Sequence, residues 1–262
     1  MDKRKSIYYT DEVNDEFSVT KLTPKKIDKN YIYAHDSKWK KVTHFFWYRV
    51  IALPLAFLYT KFKFGHKKMN EDVIEGYIHT GYFLYGNHTQ DIADALIPNM
   101  IDKKRDKYII VHPNNLSVPV VGHITPSLGA IPIPGDISSQ REFMKTIDRR
   151  IKEKCAVVIY PEAHIWPYYT GIRNFSDDSF YYPVKYRVPT FCFTNTYKKR
   201  FARKEPKIVT YIDGPFFPKL SLDKKAQRKD LRDRVYECMK KRSELSNIEV
   251  IKYIKKEENL NG

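Results

Sequence analysis

Apolar residues fall along this chain in short runs separated by polar stretches, the alternation that builds an α/β domain. Six of these runs predict strands: Tyr82–Tyr85, Tyr108–Val111, Ala130–Ile133, Ala156–Tyr160, Thr190–Phe193 and Ile208–Ile212. From Ser138 to Lys154, Phe143, Ile147 and Ile151 recur four apart, which puts them on one helical face with Ser138 as the predicted cap. Further on, Leu231, Val235 and Met239 repeat at the same interval in a strongly basic segment opened by Ser221 and Asp223, and predict an amphipathic helix. Neither an internal repeat nor a low-complexity linker interrupts the series. The expected fold is therefore α/β, a single mixed-sheet domain flanked by helices.

One run has a different character. From Phe45 to Tyr59 the only charge is Arg49, and Pro54 stands inside the run. A membrane-spanning helix needs about 20 consecutive apolar residues, and this stretch is shorter, so it predicts a helix lying in the membrane interface. Phe45, Phe46, Trp47 and Tyr48 would sit at headgroup level, with Lys40, Lys41, Arg49, Lys61, Lys63, Lys67 and Lys68 facing anionic lipid. A buried core helix is the alternative. The preceding residues mix Lys, Asp and Tyr without periodicity and read as an extended or loosely packed arm without chemistry. The organisation is then a polar N-terminal arm (1–42), a membrane-interface helical segment (43–68), the α/β domain (69–220) and a basic C-terminal helical extension (221–262).

Charge narrows the partners. The 262 residues carry a formal net charge of +16, from 47 Lys and Arg against 31 acids. Such a field concentrates phospholipid surfaces, phosphorylated substrates or nucleic acid. The basic C-terminal helix reads as a solvated face, so nucleic acid is not expected. Three widely spaced cysteines, Cys155, Cys192 and Cys238, offer neither a zinc module nor a disulfide framework and fit a reducing compartment. The first forty residues lack the apolar core of a signal peptide. The expected location is the cytoplasmic face of a membrane, peripheral or monotopic.

Candidate chemistry gathers after two of the predicted strands. Gly86-Asn87-His88-Thr89-Gln90-Asp91-Ile92-Ala93-Asp94 packs an imidazole and two carboxylates into one turn, and Tyr160-Pro161-Glu162-Ala163-His164 follows the run that ends at Ile159. A histidine where a strand gives way to a helix serves as a general base near neutral pH when a carboxylate orients its ring. His88 is that histidine, and Asp94 or Asp91 is its partner. On a regular helix Asp91 lies nearer the His88 face than Asp94 does. With Asp91 as N-cap, however, Asp94 falls at the third helical position and both acids have a capping role. His88, Asp91, Asp94, His112, His123 and His164 are also potential metal ligands of a hydrolase, but none shows a characteristic ligand spacing, so no metal site is assigned. A non-catalytic membrane-associated lipid- or nucleic-acid-binding protein would explain the charge but not the two polar clusters.

Four blocks in order resemble the glycerolipid acyltransferase family that includes the 1-acyl-glycerol-3-phosphate acyltransferases, over roughly residues 75 to 215. The family's first motif is Asn-His, four residues, then Asp; here Asn87-His88 is followed by Asp94 after five, or by Asp91 after two. Gly129-Ala130-Ile131-Pro132-Ile133-Pro134 matches the second block, with Gly135 where Arg is expected. Val157-Val158-Ile159-Tyr160-Pro161-Glu162-Ala163-His164-Ile165 matches the third, keeping Pro and Glu but losing Gly and Arg, and Val188-Pro189-Thr190-Phe191-Cys192-Phe193 is similar to the fourth. The resemblance implies acyl transfer from acyl-CoA or acyl carrier protein, as co-substrate and without a resident cofactor, to the hydroxyl of a lysolipid at a membrane surface. His88 would then be the base and a nearby Asp its holder, while Glu162 and Asn87 would serve the acceptor. The absent arginines leave Arg141 and Arg173 as candidate phosphate contacts. His164 and Trp166 would shape a pocket for a different head, such as a glycolipid or another lysophospholipid. A developing oxyanion needs fixed donors, which no sequence feature identifies; backbone amides in a turn are the usual supplier.

Overall fold

A computed structural model describes residues 4–18, 26–28, 31–33, 37–117 and 125–256. The main sheet has seven strands: β2 (Lys67–Met69), β3 (Tyr82–Gly86), β4 (Lys107–Val111), β5 (Ala130–Pro132), β6 (Ala156–Ile159), β7 (Thr190–Lys198) and β8 (Lys207–Phe216). Their order across the sheet is β2-β8-β7-β3-β6-β4-β5, and every neighbouring pair is parallel except β7 with β8. The architecture is α/β, a mostly parallel mixed sheet flanked by helices.

β3 lies at the centre, and Tyr82, Phe83, Leu84 and Tyr85 are all fully buried. Strands covered on both faces read as unbroken apolar runs. Alternate residues serve different layers: Phe83 and Tyr85 join Phe143, Ile147, Val157 and Leu231 on one side, whereas Tyr82 and Leu84 join Phe64, Ile97, Phe191 and Ile212 on the other. Parallel pairing of β3 with β6, with Tyr85 opposite Ile159, brings both carboxyl ends to one edge of the sheet. In open α/β sheets that edge is where ligands bind. Gly86 closes β3 because a Cβ there would lie 2.1 Å from the Phe193 ring.

The helices are α1 (Lys38–Phe45), α2 (Leu53–Phe64), α3 (Asp72–Glu75), α4 (Ala93–Ile101), α5 (Ile137–Lys152), α6 (Tyr181–Tyr186) and α7 (Lys224–Ser243). α5 buries Phe143, Ile147 and Ile151 as its periodicity predicts. Its cap is Asp136, not Ser138: the Asp136 carboxylate accepts the Ser139 N–H at 2.8 Å and Ser139 closes a capping box. α7 buries Leu231, Val235 and Met239 and is capped by Asp223.

α1 and α2 are joined by a π-helical segment, Phe46–Ala52, into one helix. Pro54 therefore does not break the run. It sits in the first turn of α2, where its missing N–H costs least, and the widened turn ahead of it relieves the clash a proline makes with the carbonyl four residues back. Lys41–Phe64, 24 residues, is long and apolar enough to cross a membrane by length and composition. Tyr48, Ala56, Thr60 and Phe64 are buried, and Tyr48 ties the helix down by donating to Asn99 and accepting the Lys107 N–H at 2.8 Å. Most of the remaining surface, including Phe45, Phe46, Leu55, Phe57, Leu58 and Phe62, is uncovered, which is not how a core helix sits. Arg49, expected against lipid, instead pairs with Asp106 at 2.6 Å. Lys68, likewise expected there, pairs with Glu71. The Lys40 side chain lies outside the described residues.

Two strands of a separate parallel ribbon complete the fold. β1 (Lys5–Tyr9) and β9 (Ile251–Lys255) pair in register from Lys5 with Ile251 to Tyr9 with Lys255. Part of the stretch read as a loose arm is thus fixed to the other end of the chain.

Candidate active site

His88 leaves the end of β3 in a loop that folds back on itself before α4 begins at Ala93. Asp94, in the first turn of that helix and almost wholly buried, receives the loop. Its Oδ2 lies 2.9 Å from His88 Nδ1 and accepts the N–H groups of Thr89 at 2.7 Å and Gln90 at 2.8 Å. Asn195 Nδ2 donates to Oδ1 at 3.4 Å. A carboxylate at a helix N-terminus also benefits from the axial dipole. Because the carboxylate only accepts, Nδ1 of His88 carries the proton and Nε2 holds the lone pair. Among the described residues, none hydrogen-bonds Nε2, and the ring stacks on Tyr160 with centroids 4.4 Å apart. Tyr160 in turn donates to the Asp94 carbonyl. The result is an imidazole held at Nδ1 by the carboxylate, with Nε2 left open to take a proton.

Asp91 does not contact His88 and is not the helix cap, which is Ile92. It is exposed at the turn, and partial burial followed by the Asp94 charge raises its carboxyl above the ordinary range. The angular argument fails because residues 89–92 are a wrapped loop, not the start of a helix.

Glu162 occupies the matching position after β6 but is fully buried and faces the protein. Its Oε2 accepts the His88 N–H at 3.3 Å and its Oε1 the Arg173 N–H at 3.2 Å, while the Arg173 guanidinium reaches Oε2 at 3.3 Å. Burial pushes the Glu162 carboxyl up, against the pull of Arg173. Glu162, expected to bind the acceptor, here fastens two loops together. Arg173 is no phosphate contact either: fully buried, it donates to the carbonyls of Glu12, Glu162 and His164. Arg141 is exposed in the first turn of α5. Asn87 engages Asn195 with both ends of its amide, at 3.1 and 2.8 Å, and so joins β3 to β7 rather than facing a substrate.

His164 is partly exposed, with Nδ1 3.2 Å from Glu16. Trp166 is buried, its N–H donating to the His88 carbonyl at 3.2 Å. The amides of His88, Thr89 and Gln90 are all engaged by carboxylates, so these three are not free to serve as oxyanion donors. His112 accepts from Asn114 N–H at 3.3 Å in a turn of its own, and His123 lies outside the described residues. Cys192, Asp213 and Cys238 bring ligand atoms within 4.8 Å of one another, but none belongs to this site.

Sequence reasoning missed Tyr160, Asn195, Tyr197 and Glu16. Tyr197 bonds Thr89 Oγ1 at 2.7 Å and Gln90 Nε2 at 3.1 Å, which holds the loop from beneath. Tyr160 stood inside a block that drew attention but was given no role, and Asn195 and Tyr197 lie just past the 188–193 block on β7, where no local signal points to His88.

Residues 68–193 match the Acyltransferase family model. The fold is similar to that of the 1-acyl-sn-glycerophosphate (LPA) acyltransferase PlsC from Thermotoga maritima, at a TM-score of 0.53 and 16% identity, covering 77% of this chain and 78% of that one. No curated protein matches by sequence. The matched span holds both strand ends that meet at His88, so this part of the chain is an Acyltransferase-family domain.

Proposed function

We propose that this enzyme moves a fatty acyl group from acyl-CoA or acyl carrier protein to the hydroxyl of a lysophospholipid or related glycerolipid, with His88 as general base. The observation that carries this reading is the 2.9 Å contact of His88 Nδ1 with buried Asp94, which leaves Nε2 as the proton acceptor. Nε2 takes the proton of the acceptor hydroxyl as its oxygen attacks the thioester carbonyl. Asp94 stabilises the imidazolium that forms, and proton transfer to a general base of this kind contributes about 10²- to 10⁴-fold in rate. The tetrahedral intermediate then collapses, the C–S bond breaks, and the departing thiolate takes the proton back from His88. The uncovered side of α1 and α2 rests on the cytoplasmic face of a membrane, where the lysolipid is found, and the enzyme is peripheral or monotopic.

The test is His88→Ala, assayed for thiol release from acyl-CoA and acyl-loaded carrier protein with a panel of lysolipids. The expected loss is about 10³-fold with the fold intact. Unchanged turnover in the folded variant refutes the assignment.

A further inference from the structure

The N-terminal segment read as a featureless arm is built onto the His88 site. Phe17 N–H donates to the Ile165 carbonyl at 3.2 Å, the Trp166 indole donates to the Asp15 carbonyl at 2.7 Å, and Arg173 reaches the Glu12 carbonyl at 3.3 Å. Tyr9 and Phe17 pack on the Trp166 ring at 4.7 and 5.3 Å, and Tyr253 of β9 stacks on it at 4.9 Å. Trp166 is itself bonded to the His88 carbonyl, so the segment and the base are held through one residue.

This packing delivers a carboxylate. Glu16 bonds Ser18 Oγ at 2.6 Å and His164 Nδ1 at 3.2 Å, and half of its side chain remains exposed. Burial opposes its ionisation, but the hydrogen bonds with Ser18 and His164 hold its carboxyl below the ordinary range. Asp91 feels both Glu16 and His88.

The cations around His88 are differently placed. Arg173 is enclosed against Glu162 and three carbonyls. His164 is taken by Glu16. Lys63, whose charge reaches Asp91, lies over the Tyr59 and Phe64 rings at 5.3 and 5.1 Å. Gly135 stands where the resemblance expects an arginine. Among the described residues, the exposed charges named beside the base are then two carboxylates, Glu16 and Asp91, against Lys63, a balance that suits an ammonium and opposes a phosphomonoester.

Resting on the acyltransferase reading, we propose that Glu16, with Asp91, selects a lysolipid whose head carries an ammonium over one that ends in a phosphomonoester. Charge complementarity of this kind sets specificity by attracting one head and repelling the other. Both groups act on binding, so the effect lies in KM.

The experiment compares three acceptors of identical acyl chain: lysophosphatidylethanolamine, neutral monoacylglycerol and lysophosphatidic acid. Wild type, Glu16→Gln, Glu16→Lys, Asp91→Asn and His88→Ala are assayed in the same vesicles, with circular dichroism as a check on folding. Wild type is expected to rank the acceptors in that order by kcat/KM. Glu16→Gln and Asp91→Asn should each shrink the preference for the ammonium head about fivefold through KM, as a half-exposed charge pair allows. Glu16→Lys should shift the ratio toward lysophosphatidic acid by about tenfold or more. Equal or better use of lysophosphatidic acid by wild type, or a ratio that Glu16→Gln and Asp91→Asn leave within twofold, overturns the inference while His88-dependent transfer preserves the acyltransferase reading. No transfer to any acceptor from either donor, with His88→Ala indistinguishable from wild type, overturns both.

Discussion

Replacing Asp94 by Asn keeps the shape of the residue that organises the site while removing its charge. In the native protein Oδ2 accepts three hydrogen bonds, from His88 Nδ1 at 2.9 Å, Thr89 N–H at 2.7 Å and Gln90 N–H at 2.8 Å. Bonds to a charged acceptor contribute about 1.5–3 kcal/mol against about 1 kcal/mol for neutral ones, so the three together weaken by about 3 kcal/mol. Burying an amide costs less than burying a carboxylate, which offsets part of this and leaves a net loss of about 2 kcal/mol. For a chain of this size that is a fall in Tm of about 4–8 °C. The kinetic effect is much larger. An amide can present its NH₂ to Nδ1 and hold the imidazole in the wrong tautomer, and it cannot neutralise an imidazolium. We expect kcat/KM to drop about 10³-fold. Thiol release at matched acceptor concentration, read beside thermal unfolding of the same preparation, separates the two effects. A Tm that falls as calculated while kcat/KM stays within threefold of wild type would mean that Asp94 only caps a turn, and the base assignment built on it would fail.

Two further outcomes follow from other parts of the fold. Phe45→Glu, Leu58→Glu and Phe62→Glu together alter only side chains that the protein leaves exposed; each contributes about 1 kcal/mol or more of apolar transfer, so vesicle affinity should fall at least a hundredfold in sedimentation assays with circular dichroism unchanged. Unaltered vesicle binding would remove the case for an interfacial helix. His66 is buried with Nε2 2.8 Å from Thr210 Oγ1, and burial followed by the Lys68 charge lowers its pKa to about 4. Since the unfolded state takes the proton first, the native protein should lose about 3 kcal/mol as pH falls from 6.5 to about 4. His66→Gln should flatten denaturant-measured stability across that window, and an identical slope in the variant would contradict the assignment.

What could be read from the sequence depended on whether a signal was local. β3, β6 and β7 are buried along their length, so their apolar runs stand out. β2 offers only Lys-Lys-Met, β1 has half of a two-stranded ribbon and is largely exposed, and neither carries a pattern that distinguishes strand from loop. The α1–α2 helix was underestimated because Pro54 reads as a break when its position in the helix is unknown. Arg49 was assigned to lipid because its partner Asp106 lies fifty-seven positions on, beyond any local reading.

The His88 turn shows the same limit at its sharpest. Asp94 lies one residue farther from His88 than the resembled motif places it, and on a regular helix neither position would face the histidine, the one being about 140° and the other about 120° away. Here the helix has not yet begun: the loop wraps first, with the Thr89 and Gln90 amides converging on the same Oδ2 that faces His88. The additional residue is absorbed in the loop because the carboxylate, not helical periodicity, sets the loop's path. The contact depends on three donors gathering round one oxygen, so Asp94 can partner His88 whether four residues or five separate them. Asp91, lacking those donors, remains in the solvent-facing part of the turn, where its charge can act on an acceptor but not on the imidazole's tautomer.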